Sequence, residues 1–430
     1  MSGVTLEELV RQLPDFPGPD WWRDTRKQAA ARFLRHGLPD RRVENWKYSS
    51  LAGLGGQAFT LQPGEVDLER VETIHPEGIC LVWVDGVLDL KRSRLDHLPE
   101  GLTIQPLQHG VESAEPHVRQ LLEQLPDGRD MALVHLNTAL TQQGVLVSVD
   151  AGCRVEAPVE MHYFHTGGAR TAQVRNLVLL HHHAGLNWVE MHHLQPDAAG
   201  LANFYSQVWQ DEHSRLQQVR IQPAPDAGES RLHLITRTDA SLQAGAVHDL
   251  YALDLGGCMA RHDSHDRLEG EGARSRMQGA WVLQGSSHVD NHLRVDHLSP
   301  GCESQQRFRG VMDDRSRGVF NGKVVVHPGA DGTEAHQNNA NLLLSPQAEV
   351  DTKPELEIYA DEVVCSHGAT VGQLDENALF YLRARGIAAD EARRTLMHAF
   401  CQETLETLLL EAVREWMRGL LQRHLEARES

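Results

Sequence analysis

The sequence predicts a mainly β protein that carries helical segments at both ends. Between about residues 140 and 370, short runs alternate apolar with polar side chains, and no run repeats its apolar residues every 3.6 positions. Helical patterns precede residue 80 and return after Asp375. We therefore expect an N-terminal helical region at 1–80, a β core at 81–375 and a C-terminal helical region at 376–430.

The N-terminal region begins with two helix signals. Thr5 and Glu8 have the spacing of a capping box, in which each side chain accepts a hydrogen bond from the other residue's backbone N–H. A second stretch at 21–34 is rich in helix formers, and Gly37 and Pro39 end it. These residues predict a small helical cap ahead of the β core.

Strands are predicted from about Leu81 onward. Two apolar runs flank Asp85-Gly86, a dipeptide that favours a tight hairpin turn. Further along, turn sequences recur at a near-constant step, beginning at Ser299, Asp313, His327, Ser345 and Ala360. We interpret each step as two strands plus two turns, the stacked unit of a β-helix. Regular turns also occur in β-sandwiches, so this pattern alone leaves both folds open.

The C-terminal region predicts one long helix that ends near Arg428. Its apolar residues lie on a single stripe, formed by Leu405, Leu408, Leu409, Ala412, Trp416 and Leu420. Such a stripe covers the protein's own β core or binds a partner protein, and the sequence leaves both roles open.

Composition narrows the class of protein. The 41 Lys and Arg residues against 60 Asp and Glu give a net charge of −19, which opposes attraction to nucleic acid or anionic lipid. The apolar runs are far shorter than the roughly 20 residues that span a bilayer. The first residues, MSGVTLEELV, lack the features of a secretory signal, so we expect a cytoplasmic protein. Six scattered cysteines are expected to be reduced thiols.

The common catalytic signatures are absent from the sequence. The stretch 318–323 superficially resembles a phosphate-binding loop, but its spacing is wrong and Val324 replaces the magnesium-binding hydroxyl. The G-x-S-x-G, H-E-x-x-H and G-x-G-x-x-G motifs are missing as well. We therefore expect that the chain neither binds nor hydrolyses ATP.

Histidine is abundant, with 26 residues, and three stretches concentrate it. The first contains the triplet 181–183, followed by His192-His193, and sits in strand-like sequence, where at most two residues of the triplet share a face, so we do not expect a three-histidine metal site. The stretches 288–297 and 261–266 place histidines and acids on a polar strand face that is solvated or interfacial. We interpret all three as exposed or packed residues.

Cys365 and His367 form a separate candidate site. Their spacing puts a thiol and an imidazole on the same face at the end of a strand. These donors suit zinc or iron, but two ligands do not complete a tetrahedral site. A functional metal site would therefore need ligands from elsewhere in the chain or from another chain.

Two segments resemble the SufD family of iron-sulfur cluster assembly proteins. RVENWKYSSL at 42–51 is similar to the family's E-x-W-K-Y-[TS] signature, and the stretch from His327 to Ile387 is similar to its C-terminal core. The paralogous SufB proteins carry an E-H-E-A-T type of sequence where CSHGAT stands at 365–370 here. This difference favours a resemblance to SufD, which covers essentially the whole chain.

The resemblance implies a right-handed parallel β-helix between helical regions and a non-catalytic scaffold subunit of the SufBCD complex. The partners would be SufB and the ATPase SufC, with SufC docked on the C-terminal helical region. His367 matches the histidine implicated in holding transient iron or a nascent cluster at the SufB interface, and Cys365 lies beside it. Whether a flavin binds the complex, and whether the chain alone forms a homodimer, stay open.

Two other classes of protein compete with the scaffold. A β-helix enzyme that cleaves acidic polysaccharides would use carboxylates and arginines in a long groove, but the net charge of −19 opposes an anionic substrate. A self-contained metalloenzyme would need at least three converging ligands and would keep stoichiometric metal as an isolated chain.

Overall fold

The computed structural model describes residues 3–13, 16–66, 71–76, 78–113, 115–195, 197–224 and 230–427. The strands in chain order are β1 (Ile79–Val84), β2 (Val87–Leu88), β3 (Leu102–Pro106), β4 (Val145–Val149), β5 (Arg154–His165), β6 (Arg170–Leu180), β7 (Gly185–Leu194), β8 (Ala199–Gln210), β9 (Arg215–Gln222), β10 (Arg231–Leu242), β11 (Val247–Asp254), β12 (Met259–Leu268), β13 (Arg274–Leu283), β14 (His288–His297), β15 (Glu303–Met312), β16 (Arg317–Val326), β17 (Glu334–Leu343), β18 (Glu349–Ile358) and β19 (Val364–Gly372). The helices are α1 (Leu6–Gln12), α2 (Asp20–His36), α3 (Leu107–Glu112), α4 (Pro116–Leu122), α5 (Ala132–Leu140), α6 (Glu376–Ala384), α7 (Ala389–Gln402) and α8 (Glu411–Ala427). No helix in these ranges is both long and apolar enough to cross a bilayer.

The strands form a parallel β-solenoid of about seven turns, which confirms the solenoid over the sandwich. Odd-numbered strands from β5 to β19 pair in one sheet, and even-numbered strands from β4 to β18 pair in the other. Consecutive strands therefore belong to opposite sheets, and one full turn of the solenoid contains two strands. The near-constant step in the sequence separates consecutive strands, such as β15 and β16. That step is thus one strand plus one connection, and our interpretation of it as two strands was wrong.

Alternate side chains of both sheets fill the bore of the solenoid. Large aromatic examples, Trp188, Trp281, Phe308 and Phe320, are at most 2% exposed. They belong to one apolar cluster that extends from β1 to β18. Since truncating a buried aromatic side chain to alanine costs about 3–5 kcal/mol, this continuous core holds successive turns together.

One corner of the solenoid repeats a left-handed residue in every turn, and we call it the αL corner. Its residues and φ angles are Gly152 (73°), His183 (60°), His213 (56°), Gly245 (63°), Gly272 (68°), Gly301 (65°), Gly332 (71°) and Glu362 (54°). Backbone hydrogen bonds join neighbouring turns along it, as from Gly301 N to Asp331 O at 2.9 Å. Glycine adopts this conformation without a side-chain clash, which explains its frequency there.

The N-terminal helices follow the predicted signals. Thr5 and Glu8 form the capping box of α1, and α2 ends at the predicted Gly37. Asp85 and Gly86, with φ angles of 46° and 84°, form the predicted turn between the antiparallel strands β1 and β2. The stretch assigned to the β core also contains α3, α4 and α5. All nine residues of α5 are buried, so it lacks the polar stripe by which an amphipathic helix is recognised.

The single long C-terminal helix was a wrong prediction, because the chain is non-helical between α7 and α8, at 403–410. This break shifts the buried stripe of α8 to Val413, Met417, Leu421 and Leu425. That stripe packs on the outer face of the odd-numbered sheet, on residues such as Val219 and Val282. The apolar stripe therefore covers the protein's own core. The predicted end at Arg428 lies outside the described residues.

Candidate functional site

The last turn of the solenoid leaves one end of the bore open. β19 and β18 are the terminal strands of their sheets, so each has one edge without a neighbouring strand in the described residues. Large apolar side chains are exposed on this turn: Ile358 by 42%, Tyr359 by 61%, Val364 by 58% and Val371 by 51%. An unpaired strand edge beside exposed apolar residues is typical of a surface that pairs with another chain.

Cys365 and His367 lie on this last turn and face the bore. Cys365 is in register with Ala335 and His367 with Gln337, and both of these partners on β17 are buried inside the solenoid. No further strand of the described chain covers β19, so His367 is exposed and Cys365 is half-buried. The structure thus places both candidate ligands on one face, at the open end of the bore.

The Cys365 thiol is not in the form that binds a metal ion. Burial raises the pKa of the Cys365 thiol, and a hydrogen bond to the backbone of Ala335 opposes this only in part. The thiol is therefore protonated at neutral pH, whereas metal binding requires the thiolate. Among the described residues, no group of three or more His, Cys, Asp or Glu has a geometry that could hold a metal ion.

The polar face of β14 is interfacial, which was one of the two predicted alternatives. The signature segment at 42–51 lies across it: Ser49 Oγ donates to Asp290 and lies 2.7 Å from His288 Nε2. Burial raises the pKa of Asp290, but the charges of His292 and Arg261 outweigh it and hold that pKa well below its ordinary value. The signature residues thus anchor the N-terminal region to the solenoid.

A cleft of about 730 Å³ lies beside this anchor, between the even-numbered sheet and the residues at 44–45 and 121–131. Three arginines that line it each pair with the aspartate two residues further along the same strand: Arg237 with Asp239, Arg261 with Asp263 and Arg294 with Asp296. Because these aspartates neutralise the arginines, the cleft is poorly suited to an acidic polysaccharide.

The bore contains a serine, a histidine and an aspartate in contact, a set that the sequence analysis missed. His248 Nδ1 lies 2.9 Å from Asp266 Oδ2, and Ser275 Oγ donates to the same oxygen at 2.6 Å. Asp266 thus holds both partners, whereas a hydrolytic triad needs histidine between serine and aspartate. All three side chains are at most 1% exposed, so their contacts satisfy buried polar groups. Only their inward positions on the consecutive strands β11, β12 and β13 could have revealed them.

A second exposed surface lies on α6. Phe380 and Tyr381 are 74% and 56% exposed, and the Arg385 guanidinium lies 4.6 Å from the centroid of the Tyr381 ring. The remaining helices α7 and α8 contribute apolar residues to the cluster on the odd-numbered sheet. Within the C-terminal helical region, which is predicted to bind a partner, α6 therefore carries exposed aromatic residues.

Comparisons with known proteins agree with these features. Residues 163–400 match the family model of the SUF system FeS cluster assembly SufBD core domain, and residues 19–161 match that of the SufBD protein N-terminal region. The iron-sulfur cluster assembly protein SufD of Escherichia coli is 30% identical, over 90% of each chain.

Two further relatives extend this likeness. The SufBD family protein slr0076 of Synechocystis is 28% identical over 91% of this chain and 89% of its own. The SufD protein of Bacillus subtilis is 24% identical over 94% of each chain. Together the two family models cover most of the sequence. The chain belongs to the SufBD family of SUF-system iron-sulfur cluster assembly proteins.

Proposed function

We propose that this chain is a non-catalytic scaffold subunit of a SufBCD complex. In this proposal it supports iron acquisition and the assembly of nascent iron-sulfur clusters at its interface with SufB, coupled to ATP hydrolysis by SufC. Family membership supports a role in SUF cluster assembly. The SufD relatives from Escherichia coli and Bacillus subtilis, which match over at least 90% of each chain, support the SufD-type role.

The observation that carries the proposal is the position of His367 and Cys365 at an open end of the bore. Two soft or borderline donors on an exposed face are half of a four-coordinate site. A SufB partner that pairs with the free edges of β18 and β19 would bring its own ligands to the same place. Iron or a nascent cluster is then cargo held between the two chains.

The protonation state of Cys365 supports a site that works only in the assembled complex. Burial raises the pKa of its thiol, so the isolated chain presents a neutral thiol beside an exposed imidazole. Iron bound by SufB would favour the thiolate by its positive charge. If SufC moves the two subunits relative to each other, the distance between their ligands changes, and so does the affinity of the shared site for the cluster.

We propose that SufC docks on α6 of this chain. The exposed Phe380 and Tyr381 of α6 form a small apolar surface next to Arg383 and Arg385. Aromatic residues and arginine are the types that contribute most often to binding hot spots. The double variant Phe380→Ala, Tyr381→Ala is expected to lose copurification of SufC, with no change in unfolding of the isolated chain. The matched control is Leu90→Ala, which removes an apolar side chain with 68% exposure outside the C-terminal helical region.

The central experiment replaces His367 with alanine in the co-expressed complex, purified without oxygen. We expect the subunits to assemble in normal proportions while bound iron and sulfide fall to background. His336→Ala is the matched control, because this exposed histidine lies on the adjacent strand, one register position away, and contacts Ser366 Oγ at 2.7 Å. Full iron and sulfide in an intact His367→Ala complex would refute the assigned site.

A further inference from the structure

Four side chains that can bind metal lie close together on the αL corner. His182 and His183 belong to the connection between β6 and β7, and Glu212 and His213 belong to the connection between β8 and β9. All four are exposed. The triplet containing His182 and His183 lies in a turn instead of a strand, so the argument that neighbouring residues point oppositely fails. Glu212 and His213, in the connection between β8 and β9, add two more donors that lie about 30 residues away in the sequence.

The three imidazole rings lie close to one another. Ring centroids are 4.1 Å apart for His182 and His183, 5.0 Å for His183 and His213, and 6.0 Å for His182 and His213. Imidazoles bound tetrahedrally to one ion at ~2 Å have centroids roughly 5 Å apart. Glu212 Oε2 lies 3.8 Å from His182 Nδ1, so a carboxylate adjoins the same group.

Two of these histidines occupy a backbone conformation that disfavours them. Of the six other residues at this position, five are glycine, namely Gly152, Gly245, Gly272, Gly301 and Gly332, and one is Glu362. His183 and His213 have φ angles of 60° and 56°, where a side chain costs free energy that glycine avoids. Strained residues that persist side by side point to a role beyond folding.

The His183 and His213 rings stack with an angle of 14° between their planes. In the described conformation these donors do not have the geometry of a metal site. An ion would require rotation about their exposed side-chain bonds, which costs little at a surface.

We propose that His182, His183, His213 and Glu212 form a surface site for a divalent transition-metal ion. Three imidazoles and one carboxylate are donors that suit zinc, ferrous iron, nickel or copper. The site lies at the turns before β7 and β9, whereas Cys365 and His367 lie in β19. It is therefore separate from the site proposed for the cluster and does not rest on the function proposed above.

The test uses Zn²⁺ as the probe and the full chain after treatment with a chelator. Equilibrium dialysis followed by elemental analysis counts bound zinc in the wild-type chain and in the double variant His183→Gly, His213→Gly. We expect the variant to lose one equivalent of zinc. We also expect Zn²⁺ to raise the thermal unfolding temperature of the wild-type chain more than that of the variant.

Glycine is chosen because the same corner already uses it in neighbouring turns, so the variant is expected to fold as stably as the wild-type chain. The control His97→Ala, His109→Ala removes two histidines elsewhere and should keep the full zinc content. The second variant His182→Ala, Glu212→Ala keeps both αL histidines and should weaken zinc binding. Equal zinc content and equal thermal shifts in the wild-type chain and the glycine variant would overturn the proposal.

Discussion

His297 lies in the bore, where protonation is costly. Its ring contacts Ser304 Oγ at 2.8 Å and Thr333 Oγ1 at 3.4 Å. Burial lowers the pKa of His297 to about 4, with Asp296 raising it and His327 lowering it. In the unfolded chain the same group titrates near pH 6.5. Because its folded pKa is depressed, His297 contributes stability above pH 6.5 that is lost as pH falls toward 4.

The variant His297→Gln tests this contribution. From pH 7.5 to 5.0, we expect the wild-type free energy of unfolding to fall by about 2 kcal/mol more than that of the variant. Urea unfolding at both pH values measures the difference, and any fixed effect of the substitution cancels between them. An equal fall in both proteins would show that His297 is protonated equally in the folded and unfolded states.

Trp46 anchors the N-terminal signature segment to the even-numbered sheet. Its ring is 2% exposed, the Arg261 guanidinium lies 3.9 Å from its centroid, and its Nε1 donates to the Asp130 carbonyl at 3.1 Å. Trp46→Ala removes the buried ring and leaves Arg261 without its aromatic contact. We expect it to lower the free energy of unfolding by about 3–5 kcal/mol.

Urea unfolding at pH 7.5 checks the Trp46 prediction against Lys47→Ala. Lys47 is the exposed neighbour of Trp46 in the same segment, and its replacement should change stability by less than about 0.5 kcal/mol. A loss below about 1 kcal/mol for Trp46→Ala would mean that the signature segment contributes little to the stability of the solenoid.

At the scale of the elements, the turns of the αL corner depend on backbone conformation more than on side-chain space. Gly301 has a φ of 65°, and a Cβ placed on it would meet no heavy atom within 4 Å. Gly301→Ala should therefore cost about 1–2 kcal/mol through the left-handed conformation alone. Gly53 has equally open surroundings but no φ in the left-handed region, so Gly53→Ala should be nearly neutral. Thermal or urea unfolding compares the two, and equal effects would contradict this account.

The sequence predicted elements wherever a local rule determined the structure. The capping box of Thr5 and Glu8 and the turn at Asp85-Gly86 depend on residues close in the chain, and both were found as predicted. The helix α5 could not be found, because tertiary burial of every residue removes its amphipathic pattern. The turn period was visible, but its assignment to one strand or two depends on which sheet each strand joins, and this is a long-range property.

For the candidate site, too, the sequence predicted what depends on nearby residues and not what depends on the assembled solenoid. The shared face of Cys365 and His367 followed from the two-residue repeat of a strand. Their place at the open end of the bore depends on β19 being the terminal strand, which only the assembled solenoid defines. The triplet at 181–183 was expected in strand-like sequence but lies after the end of β6, and its neighbours Glu212 and His213 lie one full turn of the solenoid further along the chain.

For the whole molecule, the open end of the bore is the surface on which partner binding is predicted to depend. Val371 is 51% exposed on the terminal strand β19, so a charged residue there would be tolerated by the isolated chain. Across an apolar interface the same charge would be buried without a partner, at a cost of several kcal/mol. We expect Val371→Lys to abolish copurification of SufB while leaving the unfolding of the isolated chain unchanged.

The same variant tests whether the isolated chain forms a homodimer through this end. If two copies pair along β18 and β19, light scattering should show a dimer for the wild-type chain and a monomer for Val371→Lys. In a dimer of the variant, each new lysine would face the other lysine or an apolar surface, and either contact is unfavourable. The control Leu90→Lys adds the same charge at a residue with 68% exposure in the segment after β2, and should change neither self-association nor SufB binding. SufB binding that survives Val371→Lys but not a charge elsewhere would place the interface away from the open end, and would remove the reason for assigning a shared cluster to His367.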